Sequence, residues 1–377
     1  MKIRLIESME ELRAYEETWK TLYTNQVNIF TSWEFCNAWM SVFGNVESKP
    51  QKILLEAKTK LCYFHNLSYS LHVLLCEDPP GNIVLIAPFV IKDIGEKVLT
   101  FLGDDDFDYH GFVYIQYTQE VVRSVAGYLL EFILNTGGVV DLKGIRSDDR
   151  FSHDLMEYLT GNDVKKPKEV IVESRYYATC PRLDLHTYRD IDCYRKDLHK
   201  TLARLLRKSE TYTSEKGYQW FYETDVSRIM GKIDTIVKIS KEYWQKKDSF
   251  SFFSIKENVA LVKGLIESCC NSNVHCIAFQ LTDNDSVLGY VLTFRVQDVL
   301  YYYLPVRSDQ SDFNVGTFLI DKIIQYALSE GINTLDFLRG TRAYKYQWGA
   351  IDSLVTRIYM HGTTPANEEY ILNYPFG

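Results

Sequence analysis

Paired metal-binding or redox cysteines are missing from this sequence. Its eight cysteines, at 36, 62, 76, 180, 193, 269, 270 and 276, form no Cys-x-x-Cys pair and have no histidines at zinc-ligand spacing. A zinc framework is thereby excluded, no metal is expected, and the thiols should be reduced, half-buried small hydrophobes. A run of about 18 apolar residues is also missing, which excludes a membrane-spanning helix. Met1-Lys-Ile-Arg-Leu-Ile-Glu-Ser8 lacks the apolar stretch of a secretory signal, so a cytoplasmic location is expected. An excess of positive charge is absent too: 50 acids against 42 bases give a net charge of −8, which does not draw DNA or anionic membranes to the surface as a whole. No serine or cysteine stands beside an evident base, so an acyl-enzyme has no candidate nucleophile.

What remains is an ordinary globular composition, 46% hydrophobic and 24% charged, with 27 Tyr and 20 Phe. Its length suits two domains of roughly 100–200 residues each. The densest information lies between Asp298 and Trp348. Val299-Leu-Tyr-Tyr-Tyr-Leu-Pro-Val-Arg307 is rich in β-branched and aromatic residues and reads as a strand. Pro305 has no N–H to give a ladder, so the strand should splay from a neighbour near it. Apolar residues at 315, 319, 320, 323, 324, 327 and 328 follow helical spacing, and Gly331 stops the helix. Thr334-Leu-Asp-Phe-Leu338 reads as a second strand, which a helical crossover makes parallel to the first. Gly316 stands where that helix begins. Free N–H groups and the positive end of the dipole there suit a pyrophosphate, although an ordinary helix start reads the same way.

The polar cluster Asp336-Phe-Leu-Arg-Gly-Thr-Arg-Ala-Tyr-Lys-Tyr-Gln-Trp348 follows the second strand's carboxyl end, where open α/β sheets bind ligands. Within it, Asp336-Phe-Leu-Arg-Gly340 followed by Tyr344-Lys345 and Trp348 resembles the closing motif of the CelD-like acetyltransferases, a branch of the GNAT superfamily related to the FemABX peptidyltransferases. Ile29-Phe-Thr-Ser-Trp-Glu-Phe35 with Trp39 and Phe43-Gly44 resembles the opening motif of the same family, and Asp108-Tyr109 matches its Asp-Tyr pair. Taken alone, Phe35, Trp39 and Phe43 read as an aromatic helix face in a core. The acidic loop Gly103 to His110 reads either as a solvated turn or as a seat for a cationic substrate.

The chain also echoes itself. Val121 to Asp141 spans the same distance as Gly316 to Asp336, and Asp-Leu-Lys-Gly-Ile-Arg146 parallels Asp-Phe-Leu-Arg-Gly-Thr-Arg342. A hairpin and further strands precede each. We read an internal duplication, with a boundary in the polar stretch Gly161 to Lys168. The expected architecture is α/β (α+β): residues 1–168 and 169–377 as tandem GNAT-like domains, each a mixed, mostly antiparallel sheet with flanking helices. Tyr194 to Ser209 reads as one helix whose bases, Arg195, Lys196, Lys200, Arg204, Arg207 and Lys208, form either a solvated face or a polyanion contact.

The resemblance covers about Phe30 to Trp348 and implies acyl transfer from a thioester to an amine. The Gln/Arg-x-x-Gly-x-Gly/Ala pyrophosphate signature of simple GNAT enzymes is reduced here to Asn314-Val-Gly-Thr317. Asp336, Tyr344 and Lys345 are the expected catalytic residues, the last as the counterpart of a lysine at the transfer centre of FemABX relatives. Asp336 and Arg339 read equally as a structural ion pair. Acetyl-CoA or another acyl-CoA is expected against Pro305, Val306, Asn314, Val315, Gly316 and Thr317. The acceptor, a small-molecule amine or amino sugar, is expected between the two halves, with contacts from Asp108, Tyr109, His110, Tyr303, Arg339 and Trp348 and the Asp336 loop. Two other readings stay open: a transferase that takes its acyl group from charged tRNA, and a non-catalytic scaffold in polysaccharide assembly.

Overall fold

The computed structural model describes residues 1–44, 52–55, 62–65, 68–161, 169–309 and 313–363. Most of the expected linker, 162–168, and part of the turn before the second-half helix, 310–312, lie outside the described residues. The chain forms two compact units, Met1–Ala178 with Leu354–Gly377, and Thr179–Ser353.

In the first unit, β1 (Lys2–Ile6), β2 (Val73–Glu77), β3 (Ile83–Ala87) and a short β6 (Val113–Tyr114) make one antiparallel sheet. A second sheet holds β4 (Phe89–Asp93), β5 (Lys97–Phe101) and β7 (Val139–Arg146). Helices α1 (Met9–Arg13), α2 (Glu16–Tyr23), α3 (Trp33–Phe43) and α4 (Gln119–Thr136) accompany them. Ser32 caps α3 by accepting the Phe35 N–H at 3.3 Å, and Phe35, Trp39 and Phe43 are buried. α4 ends at Gly137, φ 64°, a left-handed position that suits glycine. It returns the chain to β7, parallel to β5 with Val139 opposite Val98.

The second unit repeats this plan. Its sheet runs in the order β9 (Gln219–Glu223), β10 (His275–Asp283), β11 (Ser286–Val296), β12 (Val299–Arg307), β13 (Thr334–Asp336), β8 (Val170–Asp184, its last residues). Helices α5 (Ile191–Asp197), α6 (Lys200–Lys216), α7 (Val226–Lys246), α8 (Val315–Ser329) and α9 (Ala343–Gln347) belong to it, as does a helix over Lys256–Ser268. As in the first unit, a helix, α8, connects two parallel strands, β12 and β13, with Val299 opposite Thr334. Each unit has its own apolar core. No helix among the described residues is long and apolar enough to cross a membrane.

Two expectations need correction. The second domain does not run from 169 to 377: β14 (Ile351–Gly362) pairs antiparallel with β7, Met360 opposite Val140, so the residues from Leu354 return to the first unit, and the division falls at 178/179. A strand seeks a ladder wherever one is open, and no local pattern announces which. Likewise, the helix expected from Tyr194 to Ser209 is two. Leu198 is extended, with ψ 141°, and the His199 ring accepts the Thr201 N–H at 3.3 Å as a cap for α6.

Helix α8 lies tightly on β11 at Gly289, where an added Cβ would stand 2.3 Å from Val315 Cγ1 and 2.9 Å from Leu319 Cδ1. Gly289→Ala should therefore destabilise the protein by about 1–3 kcal/mol through overpacking. Urea unfolding measures this, and Gly289→Ala/Val315→Ala should recover part of the loss; equal stability of Gly289→Ala and wild type would refute the close approach.

Candidate active site

The parallel ladder between β12 and β13 stops at Tyr301 opposite Asp336. Beyond it the chain follows β8 instead: the Phe337 N–H donates to Pro181 O at 3.0 Å and the Gly340 N–H to Thr179 O at 2.9 Å. The far half of β12 is left with an open flank. A bulge sharpens the parting, because the β11 register steps from Leu292–Leu304 to Thr293–Tyr302 and leaves Tyr303 as the extra residue.

A cavity of about 410 Å³ fills the wedge. Pro305, Val306 and Arg307 line its strand side, and Asn314 through Thr317 the start of α8. Arg342, Tyr344 and Trp348 close it from the loop after β13, and Ser240, Tyr243 and Trp244 from the end of α7. Thus Pro305, Val306, Asn314, Val315, Gly316, Thr317, Tyr344 and Trp348, all singled out from the sequence, meet at one place. Asn314 caps α8 by accepting the Thr317 N–H at 3.2 Å. A Cβ at Gly316 would touch only Asn314 Oδ1, at 3.6 Å, so the protein's own packing does not demand glycine there. The bare position keeps the helix start open to a close-lying ligand.

The wall is cationic. Arg307 and Arg342 both line it, and no carboxylate or histidine is among the described lining residues. Arg307 packs its guanidinium over the Tyr243 ring, 4.8 Å from the centroid. Burial pushes the Tyr344 phenol above its usual value, with Arg342 opposing the shift, and burial raises Tyr302 still further. Both hydroxyls therefore stay protonated at neutral pH.

Asp336 and Lys345 do not line the cavity. The Asp336 side chain has no exposed surface; it accepts from Arg182 Nε, directly opposite in the β8 ladder, at 2.9 Å and from the Leu338 N–H at 2.8 Å. Lys345 is 4% exposed, and its Nζ donates to Leu338 O and Arg339 O, both at 2.8 Å. Together they brace a turn that holds Leu338 at φ 58°, a left-handed conformation costly for a branched residue. Asp336 forms an ion pair with Arg182, and the base role expected for Asp336 has no open face to act from.

Other expected contacts also fall elsewhere. Tyr303 packs edge-on against Phe294, while its neighbour Tyr302 faces the cavity, because the bulge breaks the simple alternation of the strand. Arg339 is half-exposed and engages the brace through its carbonyl. In the first unit Tyr109 is fully buried, and His110, 3% exposed, stacks on Phe101. Three of the four acids of the loop there, Asp104, Asp105 and Asp106, are bonded within the unit. Lys143 bonds Asp104 and Asp105, Lys92 and Tyr69 bond Asp104, and Trp39 donates to Asp106. Burial works against the charge on Lys143, but Asp104, Asp105 and Asp141 raise its pKa well above the ordinary value. Asp108 is half-buried in the same loop. Sequence reasoning missed Tyr302, Arg182 and the α7 wall; only the placement of the strands and helix reveals them.

Residues 196–346, all within the second unit, match the family described as "Acetyltransferase (GNAT) domain". No curated protein matches the chain. Among solved structures, FemX is similar with a TM-score of 0.61 at 9% identity, over 98% of this chain and 100% of that one. L-PGS from Bacillus licheniformis follows with a TM-score of 0.53 at 9% identity, over 97% and 96%. A tandem GNAT protein from the clavulanic acid biosynthesis pathway gives a TM-score of 0.50 at 8% identity, over 97% and 99%. At such identities the likeness is one of fold. Residues 196–346 are therefore similar to an acetyltransferase (GNAT) domain, and the chain as a whole has a tandem GNAT-like fold.

Proposed function

We propose that this protein is an N-acyltransferase that moves an acyl group, in the first instance acetyl, from acyl-CoA to an amine of a small molecule or amino sugar in a ternary complex. The observation that carries this reading is the parting of β12 and β13 onto the bare start of α8. That wedge offers an apolar slot for an acyl arm beside a helix N-terminus and two arginines suited to phosphates. The motif around Asp336, Tyr344 and Trp348 supports the CelD-like form of this activity.

In the transfer, the amine nitrogen attacks the thioester carbonyl. A C–N bond forms as the C–S bond breaks, nitrogen gives up a proton and sulfur gains one. Tyr344 is the proton donor for the departing thiolate, since its raised pKa keeps it protonated. The described wall has no carboxylate or histidine base, so the amine must react in its neutral form. Asp336 and Lys345 are positioning residues that set the turn carrying Arg342 and Tyr344. A second reading, with charged tRNA as donor, is favoured by a groove on α6 lined by Arg204, Arg207 and Lys208.

Gly316→Val should raise the KM or Kd for acyl-CoA by about tenfold at unchanged stability, because the new side chain meets ligand and not protein. Calorimetric titration with acetyl-CoA reads this, and unaltered affinity would remove α8 from the donor site. Tyr344→Phe should lower kcat by about 10²-fold with little change in KM or stability. Lys345→Met should instead unfold more easily, by about 2–4 kcal/mol, as two buried carbonyls lose their donor. In wild type, log kcat/KM should climb with pH up to the acceptor amine's own pKa. A limb in the carboxylate or histidine range would reveal an enzyme base and overturn this chemistry. For the second reading, Arg204→Glu/Arg207→Glu/Lys208→Glu should abolish activity and its salt dependence if RNA is the donor, and leave acyl-CoA turnover intact if it is not.

A further inference from the structure

Three of the large apolar side chains that remain exposed, Trp244 (38%), Phe250 (50%) and Phe252 (41%), fall within residues 244–252, at the end of α7 and the turn that follows it. The chain folds back there. The Ser249 N–H donates to Trp244 O at 3.0 Å, and Ser251 Oγ lies 2.8 Å from Ser240 Oγ, one turn before Trp244. Ser251 is buried against the helix, while its neighbours Phe250 and Phe252 are left exposed on the returning segment. Phe253, fully buried, anchors the segment from below.

The surrounding charge is basic, against the sign of the whole chain. Residues 238–257 hold five lysines and three acids, Glu242, Asp248 and Glu257. Lys246 is bonded to Asp309, Lys238 to Glu242 and Lys256 to Glu257. Lys241 and Lys247 are exposed and form no ion pair among the described residues. Tryptophan and phenylalanine ringed by lysines suit the boundary between lipid headgroups and acyl chains, where rings bury and ammonium groups meet phosphates. The net charge of −8 opposes binding of the molecule as a whole, but attraction to a charged surface decays within about 10 Å, so a local patch decides it.

We propose that this patch docks the protein on an anionic lipid surface. Trp244 also lines the cavity, so docking sets the cavity's mouth at that surface. The proposal does not rest on the transfer reaction, and its test uses binding alone.

The full chain is sedimented with vesicles of equal parts phosphatidylcholine and phosphatidylglycerol, and with phosphatidylcholine alone. Wild type should pellet with the mixed vesicles, less so at high salt, and not with phosphatidylcholine alone. Phe250→Ser/Phe252→Ser, whose exposed sites leave the unfolding midpoint unchanged, should lower the partition by about tenfold or more. Lys241→Glu/Lys247→Glu should remove the preference for the anionic lipid. Failure to pellet with mixed vesicles, equal binding by both variants, or equal binding to phosphatidylcholine alone would overturn the proposal. So would a concentration-dependent dimer that Phe250→Ser/Phe252→Ser dissolves without any vesicle binding, since a second copy would then cover the patch.

Discussion

The site depends on one cross-strand ion pair. Asp336 faces Arg182 across the β8–β13 ladder, with no exposed surface of its own. Such pairs cost desolvation and contribute little net stability, but losing one partner is expensive, so the arrangement specifies a register strongly. Here it ties the end of β13 to β8. The chain then keeps to β8 through Phe337 and Gly340, and β12 is left open from Tyr302 onward. Lys345 completes the restraint by holding the carbonyls of Leu338 and Arg339. A buried ammonium needs oxygen partners, and the turn's own carbonyls supply them.

The open flank decides the chemistry that can follow. Two arginines, a helix N-terminus and two protonated phenols face it, and all of them favour developing negative charge. A free ammonium would meet no counter-charge on the described wall. The wall is therefore matched to anionic groups rather than to a cation.

The first unit shows how the same plan diverges. Asp141, at the position that echoes Asp336, is also held by an arginine on the neighbouring antiparallel strand, Arg357 of β14. There, however, β7 continues along β14 to Arg146. The loop before α4 spends its acids on Lys92 and Lys143. The duplicated ion pair persists while the wedge and its cations belong to the second unit alone among the described residues.

By itself the sequence determined the duplicated plan, the β12–α8–β13 unit, and the gathering of Pro305, Gly316, Tyr344 and Trp348. Each of these follows from signals local to the chain: side-chain period, a proline without an N–H, a glycine at a helix start, and a strand's carboxyl end. Only the tertiary structure decided that Asp336 and Lys345 are buried braces, that Tyr302 rather than Tyr303 meets the cavity, that Asp104 and Asp105 of the acidic loop are held by lysines of the same unit, and that the last strand returns to the first unit. Those outcomes turn on which partner a charge or an open ladder finds across more than a hundred residues, as Arg182 does for Asp336. Local patterns describe what a segment prefers to be, whereas the pairing of buried charges depends on which segments the completed sheet brings face to face.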